Sequence, residues 1–208
     1  SFEVAAWDDH GFDWSEAGLV LVRSPWDYVL RRREFLEWTR DVSALSRLEN
    51  PAEVIEANTD KTYLRELADR GVHVVPTGWV GRADDAEAVV AQVRGEFGPQ
   101  LVVKPTVSAG ARDTILTSDA VEAVAHARSV LATGRGAMVQ PYLESVVDEG
   151  ETSVLVIDGE ITHAVRRRPA LTEGGTGADG TLVTLTDELE AAAAAARKVR
   201  ASTSSLPS

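Results

Sequence analysis

Residues 101–114, LVVKPTVSAGARDT, constrain the fold more than any other stretch, because a short apolar run ends in a lysine and then opens into small residues. Leu101, Val102 and Val103 read as a mostly buried strand, and Pro105, which has no N–H, stops its ladder. Lys104 is therefore delivered at a strand end. Ser108, Ala109 and Gly110 add little bulk and leave backbone amides exposed, as a loop that closes over phosphate oxygens requires. Residues 114–116 then predict the partner strand of a hairpin. The same residues also suit a buried strand with an edge lysine and a plain surface turn, so the rest of the chain has to decide.

Composition limits the choices. The chain has 208 residues, 44% hydrophobic and 26% charged, enough for a substantial core and one or two domains. Thirty-three acids against 21 bases give a formal charge of −12, which opposes nonspecific binding to nucleic acid or to an anionic membrane. A polyanionic ligand would need a local basic pocket. There is no cysteine, which excludes disulfides, thiolate metal sites and a cysteine nucleophile, and fits a reducing, cytoplasmic setting. No run approaches the roughly 20 apolar residues of a membrane span. The sequence starts at Ser1 without a signal segment, which suggests a start within a longer protein.

In chain order, residues 2–7 (FEVAAW) and 19–22 (LVLV) predict two strands, and a helix follows at about 33–42, as in part of an α/β layer. SPWDY, residues 24–28, follows the second strand, where open α/β sheets place ligand-facing loops; Trp26 and Tyr28 would equally cover a sheet edge. Arg31, Arg32 and Arg33 are adjacent, so on a helix they diverge rather than form one patch. Asn58 or Thr59 can cap a helix with apolar positions Tyr63, Leu64 and Leu67 and a stop at Gly71. Lys61 would then lie in the first turn, at a cost of up to roughly 1 kcal/mol that a bound anion, or the adjacent Asp60, would offset. Lys61-Thr62 is not a phosphate-binding P-loop, because the preceding glycines are missing.

Residues 72–76 (VHVVP) predict a strand, 84–97 a helix, and 119–132 a second helix with Asp119 and Glu122 as a capping pair. With the hairpin, these helices make a module of their own. In AMVQPYLES an apolar strand runs into Gln140, and Pro141 leaves backbone groups unpaired near Tyr142 and Leu143, a donor and acceptor pattern that suits an adenine edge. Glu151 opens the strand TSVLVI, which turns at Asp158-Gly159 into EITHAV and ends in Arg166, Arg167 and Arg168. Alternation lets one or two of these arginines reach a site while the others stay in water. His10, His73, His126 and His163 show no metal-ligand spacing and read as structural or exposed. Gly175, Gly177 and Gly180 fit GxGxxG, yet no apolar strand precedes them and no helix opening follows, which argues against a dinucleotide site.

VRSPWDY, NTDKTYL, VVPT, VVKP, MVQPYL and HAVRRRP, six short motifs in this order, resemble the ATP-grasp superfamily. Within it, the chain is similar to glutathione synthetase-like proteins and to the O-ureido-serine cyclo-ligase of cycloserine biosynthesis. The resemblance implies an α/β (α+β) ATP-grasp fold: a partial N-terminal α/β domain at 1–58, a lid and central subdomain at 59–143, and an incomplete C-terminal antiparallel-sheet subdomain at 144–208. It implies an ATP-dependent carboxylate–amine ligase acting through an acyl phosphate on small-molecule substrates, with a homo-oligomer compatible. Lys61 and Lys104 would hold nucleotide phosphates under the Ser108, Ala109 and Gly110 loop. Gln140, Tyr142 and Leu143 would meet adenine, Glu151 the ribose, and Arg166 or Arg168, with Arg168 slightly favoured, the acyl phosphate. GGTGADG becomes a second glycine loop near substrate. Magnesium is expected for the family, but its acid- and asparagine-bearing strand is not found before the ending ASTSSLPS, and the first strand and helix of the N-terminal domain are missing too. The expectation is a form truncated at both ends and incomplete as a catalyst. The alternative is a noncatalytic nucleotide- or peptide-binding module.

Overall fold

Parallel pairing organises the first of two units in this computed structural model, which describes residues 2–168 and 180–203. The unit comprises Ser1–Tyr63 with Val107–Ala109. Strand β1 (Val20–Leu21) is followed by α1 (Arg32–Leu45), β2 (Leu48–Glu49) and α2 (Ala52–Asn58). β1 and β2 pair in parallel, Val20 opposite Leu48. Val20, Phe35, Leu36, Val42, Leu48 and Ile55 form the core, covered by Trp7, Trp14, Tyr28 and Trp38. Phe35 is the hub: Trp7 meets it edge-on with centroids 5.5 Å apart and Trp38 stacks on it at 5.6 Å. Such aromatic pairs each contribute about 0.5–1.5 kcal/mol beyond their burial.

The predicted helix at 33–42 is α1, whereas the strand expected over residues 2–7 does not form. Phe2 is 92% and Val4 86% exposed, and among the described residues no strand pairs with this segment. Trp7 is fixed by its indole N–H donating to Asp27 Oδ1 at 3.0 Å and by the Arg31 guanidinium 4.6 Å above its ring. SPWDY lies largely in a 3-10 turn, Trp26–Leu30, with Trp26 outside and Tyr28 packed 5.5 Å from Phe35. The three arginines diverge as expected. Arg31 pairs with Asp8 and Asp27, Arg32 Nε donates to Thr59 Oγ1 at 2.8 Å, and Arg33 is exposed.

The second unit comprises Leu64–Thr106 and Gly110–Ser208. Its elements are α3 (Tyr63–Asp69, whose first residue belongs to the other unit), β3 (Gly78–Val80), α4 (Ala86–Phe97), β4 (Leu101–Pro105), β5 (Ile115–Thr117), α5 (Ala120–Ala132), β6 (Ala137–Pro141), α6 (Ser145–Glu149), β7 (Glu151–Ile157), β8 (Glu160–Arg167), β9 (Gly180–Val183) and α7 (Asp187–Thr203). A four-stranded antiparallel sheet has the order β3-β6-β4-β5, and a three-stranded one the order β7-β8-β9.

α4 and α5 cover one face of the four-stranded sheet. Their Val90, Val93, Ala123, Ala127 and Val130 pack on Val80, Leu101, Val103, Ala137 and Val139. Each fully buried valine or leucine contributes about 1.5–3 kcal/mol. Asp85 caps α4 by accepting from Glu87 N and Ala88 N, and Asp119 caps α5 from Val121 N and Glu122 N. The capping pair read at Asp119 and Glu122 is only half formed: Glu122 accepts from the Thr117 hydroxyl instead of reaching back to the cap residue. Residues 72–77 form no strand; the ladder starts at Gly78, after Pro76, which has no N–H to give. The hairpin turn is as read, with Asp158 at φ 50° and Gly159 at φ 80°, both left-handed as a tight turn between antiparallel strands demands. The last strand, β9, begins at Gly180, the final glycine of the GxGxxG pattern. Most of the glycine motif, Gly175 and Gly177 included, lies outside the described residues.

Candidate functional site

The face of the four-stranded sheet turned away from α4 and α5 carries the candidate site. Alternation along β4 and β6 sends Leu101, Val103, Ala137 and Val139 to the helices, and Val102, Lys104, Met138 and Gln140 to the opposite face. Lys104 stands directly across from Met138, and Gln140 across from Val102. Trp79 of β3, also opposite Met138, extends this face, with the Arg65 guanidinium 4.6 Å from its ring. Lys104 and Gln140, 36 residues apart in sequence, are thus brought onto adjacent strands of one surface.

The ammonium of Lys104 is the perturbed cation of this face. Burial pushes its pKa below the usual 10.5, and the Glu151 carboxylate works against that shift. Glu151, exposed at the first position of β7, therefore lies within electrostatic reach of Lys104. A partly desolvated lysine retained on an otherwise apolar strand is a group that an anion would stabilise. Gln140 is 6% exposed; its Nε2 donates to Thr77 Oγ1 at 2.8 Å, and Thr77 in turn donates to Val75 O.

Two backbone expectations are corrected beyond Pro141. The Tyr142 N–H donates to Gln100 O at 3.0 Å, and the Leu143 carbonyl accepts from Val146 N at 3.1 Å. The chain there turns into the short helix α6, which the sequence did not suggest, and α6 takes up the carbonyl that the broken ladder releases. Arg166 and Arg168 are exposed, with Arg166 Nε 3.3 Å from Thr152 Oγ1 and Arg168 just beyond the end of β8. In the strand register Arg167, not Arg166, stands opposite Glu151.

Lys61, Ser108 and Ala109 belong to the first unit. Lys61 is not in the first turn of a helix. Residues Ala52–Asn58 are themselves helical, so Asn58 ends α2 rather than capping α3, and Lys61 occupies the link between the two. The unfavourable dipole placement therefore does not arise. Its ammonium donates to the Ser108 carbonyl at 2.7 Å and lies 3.2 Å from Ser108 Oγ. Ser108 is buried rather than open, Ala109 is half-buried, and Gly110 alone of the three small residues is exposed. The sequence reading overlooked Arg135 and Gly136, which hold the base of this loop. The glycine before a buried strand was the only available signal, because Arg135 acts through a partner 22 positions away.

Among the described residues no three His, Cys, Asp or Glu side chains gather as a metal site would require. No helix among the described residues is long and apolar enough to cross a membrane.

Comparison with known proteins places these features. The profile described as D-cycloserine synthetase DcsG, N-terminal domain, matches residues 1–50. The cycloserine biosynthesis protein DcsG of Streptomyces lavendulae is 38% identical over 179 residues, 84% of this chain and 60% of that protein. The chain thus spans about 60% of the length of this relative. The crystal structure of D-cycloserine synthetase DcsG matches with a TM-score of 0.86 at 35% identity, over 97% of this chain and 71% of that one. More distant structures share the fold alone. The ATP-grasp ligase PsnB, complexed with minimal precursor, Mg and ADP, has a TM-score of 0.53 at 20% identity over 88% of this chain and 61% of its own. D-alanyl-alanine synthetase A of Vibrio cholerae O1 biovar eltor has 0.58 at 11%, over 87% and 57%. The likeness to DcsG, at 35% identity over 71% of that chain, with a mixed α/β fold shared with more distant ATP-grasp ligases, establishes that the chain belongs to the ATP-grasp superfamily.

Proposed function

We propose that this chain carries the nucleotide-gripping part of an ATP-dependent carboxylate–amine ligase that works through an acyl phosphate. The observation that carries the reading is Lys104, a partly desolvated cation that shares with Gln140 the sheet face turned away from α4 and α5. In this reading Lys104 neutralises phosphate oxygens and the amides of the Ser108, Ala109 and Gly110 loop donate to them. Gln140, Tyr142 and Leu143 border the base, and Glu151 accepts from the ribose. A substrate carboxylate oxygen attacks the γ-phosphorus and ADP departs; an amine then attacks the acyl carbon and phosphate departs. Charge develops on phosphoryl oxygens in both steps, so fixed cations such as Lys104 and Arg166 or Arg168 supply the stabilisation. Lys61 is assigned to phosphate by the family likeness alone, since its ammonium is already held by Ser108. The division at 1–58, 59–143 and 144–208 is part of the same proposal, as is a cytoplasmic setting. Magnesium, expected for the family, has no step assigned to it.

Calorimetric titration with ATP tests the reading. Removing one charge-assisted contact costs about 1.5–3 kcal/mol, so Lys104→Ala binds ATP roughly 10- to 100-fold more weakly than wild type. Arg32→Ala serves as the control, because Arg32 is engaged with Thr59 and the Glu56 carbonyl. Equal affinities of the two variants would sink the assignment of Lys104. ATP binding without phosphate release across panels of carboxylates and amines would favour a noncatalytic nucleotide-binding module.

A further inference from the structure

We propose that Asp113 and Arg135 clamp the stem of the loop that follows Lys104, which makes Asp113 a positioning residue for the phosphate grip; this rests on the nucleotide reading above. Gly110, Ala111 and Asp113 have φ values of 60°, 56° and 55°. Glycine adopts that region freely and aspartate with some tolerance, but alanine does so rarely. Such a backbone persists only where its surroundings over-determine it.

Two consecutive residues ahead of β6 supply that constraint. Arg135 Nη2 donates to Asp113 Oδ2 at 2.6 Å, while its Nε donates to Thr133 Oγ1 at 2.8 Å. The next residue, Gly136, accepts from the Thr106 N–H at 2.9 Å. Both feet of the loop, Thr106 and Asp113, are therefore tied to neighbours in sequence. The approach at the first foot is close: a Cβ on Gly136 would meet Thr106 Cγ2 at 3.1 Å. A further contact holds the second foot, where His126 Nε2 lies 2.8 Å from the Asp113 carbonyl, an acceptor to which the ring must donate. The Arg135 side chain is only 20% exposed, so the pair is shielded on one side.

The clamp connects the two strands that bear the candidate contacts. Lys104 precedes Thr106 by two residues on β4, and Gln140 follows Gly136 by four on β6. Backbone N–H groups cradle an anion only when their directions are fixed in advance. Asp113 touches no phosphate itself; its carboxylate fixes the turn that presents the amides.

The test measures ATP affinity by calorimetry, amide hydrogen exchange of residues 109–114 without nucleotide, and thermal unfolding. Asp113→Ala is expected to speed exchange in the loop and to weaken ATP binding about fivefold, or ~1 kcal/mol. Arg135→Ala, which also gives up the bond to Thr133, should do at least as much, and the double variant should be little worse than Arg135→Ala, because both singles remove the Arg135–Asp113 contact. Asp113→Asn, which tolerates the left-handed backbone and keeps an acceptor for Arg135, should retain most of the affinity. Asp113→Gly separates clamp from strain. A clamp makes glycine at least as weak as alanine, whereas glycine binding ATP like wild type overturns the proposal. If wild type binds ATP and Asp113→Ala and Arg135→Ala bind it equally well, the clamp alone falls. If wild type does not bind ATP, the nucleotide reading falls and the clamp with it. Should Asp113→Ala fail to fold, Arg135→Ala and Asp113→Asn carry the same comparison.

Discussion

Lys104→Met should make the protein more stable and less able to bind nucleotide at once. Lys104 stands on a strand whose neighbours are almost all buried and directly opposite Met138, which is fully buried. A methionine would fill the same linear space without an ammonium to desolvate. Stabilising changes at strained functional positions commonly yield about 0.5–2 kcal/mol, and each ~1 kcal/mol moves Tm by about 2–4 °C in a chain of this length. In differential scanning fluorimetry without nucleotide the variant should therefore melt above wild type. Saturating ATP should reverse the order, because a ligand at 100 times its Kd stabilises the protein that binds it by about 2.7 kcal/mol. The pH dependence has a definite sign. Below the lowered folded pKa both folded and unfolded Lys104 hold the proton, and the folded state bears the desolvation. As pH rises above the lowered folded pKa towards the usual 10.5, the folded lysine releases its proton before the unfolded one. The unfolded state then binds more protons, so wild type gains stability and the gap to Lys104→Met narrows across that window. A variant that melts below wild type at neutral pH, or that ATP stabilises as much as wild type, would refute the reasoning.

Two further substitutions probe the units separately. Gly78→Ala puts a Cβ 2.6 Å from Val89 Cγ1 and 2.7 Å from Val93 Cγ2, so it should destabilise by about 1–3 kcal/mol in urea unfolding, and Val89→Ala in the same chain should restore part of the loss. Asp27 has its pKa held below 3.8 chiefly by the Trp7 indole hydrogen bond and secondarily by Arg31, against the opposing effect of burial. Its contribution to stability is present above the unfolded pKa and lost as pH falls through the lower folded value. Asp27→Asn should flatten that acid limb, read by tryptophan fluorescence between neutral pH and about pH 2.5; an unchanged limb would remove Asp27 from the account.

The elements that depend on local chemistry were legible in the sequence. Asp119 caps α5, Asp158-Gly159 turns β7 into β8, and Lys104 lies on an apolar strand, although Pro105 does not stop that strand but pairs with Ala137. What was not legible depends on partners distant in sequence. FEVAAW has the alternation of a strand, yet alternation does not provide a neighbour, and only Trp7 finds a place in the aromatic core. Helix α2 went unpredicted because Ile55 is its one buried apolar residue. Lys61 was misplaced for the same reason: with α2 unseen, α3 had to begin too early. The order β3-β6-β4-β5 was hidden as well, because β6 inserts between strands that precede it in the chain.

That inserted strand bears on how a chain of formal charge −12 would present the proposed phosphate grip. A basic patch on the outer surface would compete with the surrounding acids and be screened by salt. Here the polar groups are instead set into a sheet whose other face is sealed by α4 and α5, so that Lys104 keeps its charge in a shielded place with Glu151 at a distance. β6 sets the register for both: its Met138 fixes the level of Lys104, its Gln140 stands two residues further along the same face, and the Arg135 and Gly136 that precede it hold the loop beyond Lys104. A one-residue slip of β6 would turn Gln140 into the helix-facing core and break both ties of the loop. The apolar residues Ala137 and Val139, buried against α4 and α5, oppose that slip. The hydrophobic core and the candidate site are thus two faces of one register, and a substitution that loosens the first is expected to disorder the second.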